Sequence, residues 1–329
     1  MISLALACAI LGSSEPEWLT FPGGSGPGKG KHIVFLAGDE EYRSEEGLPQ
    51  LAKILSQRHG FKCTVLFSLN SKGEIDPNTQ THQPGLENLK SADLCIMLLR
   101  FRNWPDTQMK HFVDYFESGK PIIALRTSTH AFNYPADSQS AYSRFGWQSK
   151  EWPGGFGKQV LGENWVTHWG NHGSQATRGV VVAQHPILNG VKELFGDSDV
   201  YEAAPPSDSL VLVRGQVLSG MNREDSPAVG QKKTVQGVEQ GLNEPMMPVV
   251  WVRAYKHPSG KINRIITSTM GAATDLSDEN LRRLIVNASF WARNLAVPAK
   301  ANVDLIGKYE PSKFGFNTFK KGVKPSDLK

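Results

Sequence analysis

Three unbroken apolar runs organise the first half of the chain, and each ends abruptly in charged or polar residues. The run over 32–38 meets Asp39, Glu40, Glu41, Tyr42 and Arg43. The run over 93–99 meets Arg100, Phe101 and Arg102, and the run over 121–125 meets Arg126, Thr127, Ser128, Thr129 and His130. Continuous apolar runs without alternation suit strands buried on both faces of a parallel sheet. Between them the period lengthens. Leu48, Leu51, Ile54 and Leu55 follow Ser44 at helical spacing and stop at Gly60. Met109, Phe112, Val113 and Phe116 predict a helix over 106–118, and a further strand is predicted over 62–67. The series reads βαβαβαβ, which implies a parallel sheet with right-handed crossovers.

After His130 the periodicity disappears. Residues 133–175 are rich in Gly, Trp, Ser and Asn. A long irregular stretch inside a compact domain is usually functional. Strand-like runs return over 179–183, 210–213, 248–255 and 264–270, and a last helix is predicted over 277–294. The expected organisation has three parts: a signal remnant and a Gly/Pro-rich linker over 1–30, an α/β domain over 31–297 with 133–175 covering the site, and an extended basic tail over 298–329.

Composition narrows the function classes. The net charge of +4 resides in the tail, where seven lysines face Asp304, Glu310 and Asp327, so the body is neutral. A neutral body with a weakly basic tail argues against a nucleic-acid partner. Residues 2–12 read as the apolar core of an export signal. They are too short to span a membrane, and no other segment is apolar enough, so an exported protein without an integral membrane segment is expected. Cys8, Cys63 and Cys95 form no C-x-x-C pair, which argues against a thiolate zinc site and a disulfide framework.

In open α/β sheets, ligands bind beyond the carboxyl ends of the strands. That rule gathers Asp39, Glu40, Arg43, Arg100, Arg102, Arg126, Ser128 and His130 along one edge. His130 closes the turn after the fourth strand and is a candidate acid/base, with Asp39 or Glu40 as its carboxylate partner. The arginine forks suit carboxylate, phosphate or hydroxyl groups on a substrate, or pair internally with the acids. Asp275 follows the last core strand, as a further site residue or a helix cap. His168 and His172 stand four apart with Glu163 before them. They could share a divalent metal, but Gly170 and Gly173 oppose the helix that this spacing needs; hydrogen bonding to a polar ligand is the other reading. Trp147, Trp152, Trp165 and Trp169 surround them, either as stacking faces for a sugar or as packing.

Several of these segments together resemble a known family. The stretches over 34–43, 121–132, 185–190, 269–272 and 281–292, in that order, are similar to the ThuA-like (trehalose-utilisation) family, in particular to exported proteins of planctomycete-type bacteria. The resemblance implies a flavodoxin-like fold related to class I glutamine amidotransferases, with a mostly parallel sheet and helices on both faces. It also implies carbohydrate metabolism. The chain departs from the amidotransferase pattern at both catalytic places. Arg126 or Thr127 stands where the nucleophilic Cys would be, and Ala272 follows Gly271 where the His would be, so glutaminase chemistry is not expected. Three functions stay open: acid/base chemistry on a sugar or oxidised sugar derivative, non-catalytic carbohydrate binding, and metal-dependent hydrolysis at Glu163, His168 and His172. A homo-oligomer is compatible with each.

Overall fold

The computed structural model describes residues 16–329. The apolar N-terminal stretch read as an export signal lies outside the described residues. β2 (His32–Gly38), β3 (Lys62–Phe67), β4 (Leu94–Leu99), β5 (Ile122–Leu125) and β12 (Ile262–Ser268) form a parallel five-stranded core in the order β3-β2-β4-β5-β12. This is the doubly wound order of flavodoxin-like sheets, whose switch point falls between β2 and β4. Every residue of β2, β4 and β5 is buried, as an unbroken apolar run between two helical layers requires.

The layers form as the helical periods predict. α1 (Ser44–His59) and α3 (Glu279–Ala292) cover one face, burying Leu48, Leu51, Leu55, Leu281, Leu284 and Ile285. α2 (Asp106–Glu117) covers the other through Met109, Phe112, Val113 and Phe116. Gly60, at φ 83°, ends α1 in the left-handed conformation that closes the helix. The Asp278 carboxylate caps α3 by accepting the Leu281 N–H at 2.8 Å.

Beyond the core the sheet continues antiparallel. β11 (Met247–Lys256) pairs with β12, then follow β8 (Leu210–Val217), β6 (Thr177–Val181) and β7 (Glu193–Gly196). A separate hairpin joins β9 (Gln231–Lys233) to β10 (Glu239–Gly241). At the opposite edge, β1 (Trp18–Phe21) pairs antiparallel with β3, inside a segment the sequence assigned to a linker. Leu19 and Phe21 point inward there while Thr20 is exposed, a strand too short for its alternation to stand out among the surrounding glycines and prolines. No helix among the described residues is long and apolar enough to cross a membrane.

The irregular stretch over 133–175 holds only short helical turns, and it is packed. Phe145, Phe156, Val160 and Leu161 join the α2 side of the core. The last thirty residues also lie on the body. Val303 and Phe314 are buried, the Ser312 N–H donates to Glu46 at 2.6 Å, and the Tyr309 hydroxyl donates to the Ala273 carbonyl at 2.6 Å.

Candidate functional site

A cleft of about 370 Å³ opens over the carboxyl ends of β2, β4 and β5, next to the switch point. Glu41 comes from the loop after β2, Arg100 and Phe101 from the loop after β4, and His130 from the turn after β5. Trp165, His168 and His172 come from the irregular stretch, Tyr201 from the loop after β7, and Phe316 from the C-terminal segment. Six separate parts of the chain therefore converge on one opening.

The centre of this cluster is a residue the sequence did not single out. Asp199 is buried beneath the cleft. Its Oδ2 lies 2.8 Å from His168 Nδ1, and its Oδ1 lies 3.0 Å from His172 Nδ1 and 2.8 Å from Arg126 Nη2. An ionised carboxylate only accepts, so both imidazole Nδ1 atoms carry protons. His172 Nε2 faces a second carboxylate, Glu41 Oε1, at 3.2 Å. With carboxylates at both nitrogens His172 is held as an imidazolium; the hydrogen bonds to Asp199 and then Glu41 push its pKa up to about 9. Burial would raise the Asp199 pKa, but the Arg126 charge and the two histidine hydrogen bonds outweigh it and hold Asp199 well below the usual carboxylate range. His168 has no such second partner. Its Nε2 points away from Asp199 on a ring that lines the cleft, without a hydrogen-bond partner among the described residues.

His130 does reach the cleft, but it is nearly buried, with Nδ1 3.1 Å from the Thr129 hydroxyl. Burial, then Arg100, Arg126 and His168, pull its pKa well below the ordinary value, so it is neutral. It packs between Phe101 and Trp165, at 5.1 and 5.7 Å between ring centroids.

Several residues expected at the site are consumed by the fold. Asp39 accepts the backbone N–H groups of Glu41 and Tyr42 and the Thr127 hydroxyl, holding the turn after β2 in place. Burial and the neighbouring Glu40 push its pKa up to about 6, yet it does not line the cleft, so the expected His130–Asp39 pair is not formed. Glu40 is spent on Arg102 at 3.1 Å, Arg100 at 3.6 Å and the Gln80 amide at 2.7 Å. Arg102 is fully buried and donates to the carbonyls of Arg100, Pro77 and Thr79. Arg126 is also fully buried. Its guanidinium lies 3.7 Å from the Tyr201 ring centroid and 4.6 Å from that of Tyr42, and it donates to Asp199 and to the carbonyls of Asp199 and Thr269. Arg43 is buried as well and donates to the Glu40 and Gly315 carbonyls.

Ser128 bridges the β4 backbone, donating to Met97 and accepting from Leu99. Asp275 accepts from Ser198, Gly271 and Ala272, tying the loop that carries Asp199 to the end of β12. Glu163 pairs with Lys158 at 2.7 Å and accepts the Ala204 N–H, so it is not the third member of a histidine cluster. Of the four tryptophans Trp165 lines the cleft. Trp147 stands behind it at 6.2 Å between ring centroids, whereas Trp152 packs on Phe145 and Trp169 is fully buried.

The donor atoms of His168, His172 and Asp199 lie within 4.8 Å of one another, close enough to meet on one cation. The electrostatics oppose that use. Arg126 already occupies Asp199 Oδ1, and a dication there would face a buried guanidinium in a poorly screened interior. Cys63 and Cys95 are buried in strands with pKa values pushed up by burial, so neither is a nucleophile for this cleft.

No protein-family model matches the sequence, and no curated protein does. The fold has solved counterparts. A ThuA-like protein from Parabacteroides merdae aligns with a TM-score of 0.51 at 14% identity, over 82% of this chain and 92% of its own. A ThuA-like protein from Bacteroides uniformis aligns with a TM-score of 0.49 at 18% identity, over 82% of this chain and 93% of its own. At this identity the likeness to the Parabacteroides protein is one of fold: the chain is an α/β protein of the flavodoxin-like type.

Proposed function

We propose that this ThuA-like fold carries an acid/base site for a sugar or an oxidised sugar derivative, with His168 as the base and His172 as the acid. The observation that carries the reading is the single buried carboxylate of Asp199 orienting two imidazoles whose other nitrogens differ. In its neutral form His168 offers an Nε2 lone pair to the cleft, ready to take a proton from a C–H or O–H group. His172, protonated through Asp199 and Glu41, can give one. An imidazolium held between two carboxylates, beside an imidazole whose Nε2 is open to the cleft, supplies the two partners that a proton-in, proton-out reaction needs. Lyase, isomerase and hydrolase chemistry on a carbohydrate all fit that description.

The carbohydrate part of the reading is supported by the cleft wall. Phe101, Trp165, Tyr201 and Phe316 present ring surface beside polar groups, the combination that stacks on sugar C–H faces and bonds hydroxyls. It is also supported by the family resemblance in the sequence. The missing nucleophile favours the competing reading of a binding protein that does no chemistry.

The test is a thermal-shift screen with sugars, 3-keto sugars, sugar acids and sugar phosphates, followed by NMR time courses on every compound that stabilises. A ligand at ~100 times its dissociation constant adds roughly 2.7 kcal/mol. Conversion by the wild type and its loss in His168→Gln support the site. A stabilising sugar that stays unchanged for hours makes the protein a binder.

A further inference from the structure

Of the four arginines that the sequence brings to the strand ends, one keeps its donors. Arg43, Arg102 and Arg126 are fully buried and bonded to carbonyls or carboxylates. Arg100 lines the cleft with its side chain one-fifth exposed. Its only charged neighbour within salt-bridge range among the described residues, Glu40, is 3.6 Å away, beyond hydrogen-bond distance, and its guanidinium donates to no other described residue. The group is nevertheless held. Its central carbon lies 4.4 Å from the Phe101 ring centroid and 4.9 Å from that of Phe316. Both rings turn a face to the cation, and its N–H groups are left for another partner.

Phe316 reaches that position because the C-terminal segment is fastened across the cleft. The Gly315 N–H donates to the Glu41 carbonyl at 2.8 Å, and Arg43 donates to the Gly315 carbonyl at 2.9 Å. Phe314 packs against Tyr42 and His172 at 5.2 and 5.5 Å between ring centroids. Phe316 remains half exposed, an apolar ring left at the mouth.

We propose that Arg100, oriented by Phe101 and by Phe316 of the C-terminal segment, forms an anion subsite that receives a carboxylate on the ligand, so that the cleft selects sugar acids over neutral sugars. The proposal takes the sugar ring from the reading above and adds the charged substituent. A carboxylate matches the fork of guanidinium N–H groups in geometry, and the desolvation cost is partly met in advance because the cation already packs on two rings.

The test measures binding of D-galacturonate, D-galactose and glycolate by ligand-observed NMR at matched ionic strength. Wild type, Arg100→Gln, Arg100→Lys and Phe316→Ala are compared, each first shown to keep the wild-type circular dichroism spectrum. A charge-assisted hydrogen bond corresponds to ~10- to 100-fold in affinity, which is the expected preference for galacturonate over galactose. Arg100→Gln should erase the preference, Arg100→Lys should restore part of it, and Phe316→Ala should weaken galacturonate binding by several-fold. Equal binding of both sugars by the wild type, or an unchanged preference in Arg100→Gln, overturns the anion subsite and leaves the carbohydrate reading standing. Glycolate binding that depends on Arg100, with both sugars silent, keeps the subsite and removes the carbohydrate reading. Silence of all three probes at millimolar concentration overturns both.

Discussion

Replacing Asp199 by Asn changes one atom and disturbs every member of the proposed site. The wild-type carboxylate accepts from Arg126 at 2.8 Å, His168 at 2.8 Å and His172 at 3.0 Å, with its side chain fully buried. An amide keeps an acceptor for the Arg126 and His172 side and turns an NH₂ group toward His168 Nδ1. That imidazole must then accept at Nδ1 and carry its proton on Nε2, which removes the lone pair from the cleft. The buried Arg126 guanidinium also loses its counter-charge. Breaking a buried pair costs roughly 3–5 kcal/mol, and retention of one acceptor lowers this to about 2–4 kcal/mol. For a chain of this size that is a fall in Tm of roughly 3–6 °C. His172 keeps only Glu41 as a charged partner, so its titration midpoint falls from about 9 toward its ordinary value of 6.5. Long-range ¹H–¹⁵N spectra of labelled protein read tautomer and titration together, and differential scanning calorimetry reads the stability. If His168 shows the same tautomer in both proteins and His172 keeps its midpoint, Asp199 does not organise the pair and the reasoning fails. The expected loss of turnover, once a substrate is known, is ~10²- to 10⁴-fold.

Other consequences follow from the same contacts. His172 has a folded-state pKa raised to about 9, so its contribution to stability is complete below about pH 6.5 and is lost as pH rises through 9. A Tm series from pH 6 to 10 should therefore fall on the alkaline side, and His172→Gln should flatten that fall. Arg126→Met leaves Asp199 buried without its cation and should cost about 3–5 kcal/mol in urea denaturation; an unchanged midpoint would show that the pair is not structural. Asp275→Ala removes an acceptor that four donors share across the loops at 198 and 271, and should destabilise by about 2–4 kcal/mol while leaving the affinity of any ligand within a few-fold; a large loss of affinity at unchanged stability would return it to the site. Arg126 already neutralises the carboxylate nearest the histidines, so a chelator should leave Tm unchanged and metal analysis should find substoichiometric divalent metal.

The strand ends were legible because a strand buried on both faces cannot alternate, so each apolar run marks where its strand stops. This placed Arg100, His130 and the β2 loop at the correct edge. Which side chains at that edge stay free was not legible. Arg100 and Arg102 are two residues apart in similar surroundings, and yet one lines the cleft while the other is fully buried against carbonyls from the loop over 77–79. Arg126, at a φ of 43°, turns under the sheet edge and pairs with a residue 73 positions away. His168 and His172 were seen as a pair but given a partner by nearness in sequence. Their partner is Asp199, 31 and 27 residues on, and Glu163 turns instead to Lys158 and the Ala204 amide. The one sequence sign of Asp199 was the acid-rich run Asp197, Ser198, Asp199 after β7, which carries no periodicity to read. The C-terminal segment was expected as an extended basic tail. Its place in the cleft wall depends on backbone bonds at Gly315 that no side-chain pattern announces.

The most direct test of the acid/base claim is proton exchange in D₂O, followed by ¹H NMR on 3-keto sugars and their carboxylated forms. A base poised over the cleft exchanges the C–H next to a ketone even when the complete reaction needs a group that the chosen sugar lacks. The account predicts that wild-type protein removes that proton signal, or converts the sugar, well above the buffer rate, and that His168→Gln binds the same sugar without doing so. A sugar that binds the wild type while its adjacent C–H groups exchange at the buffer rate and its spectrum stays unchanged would contradict the claim.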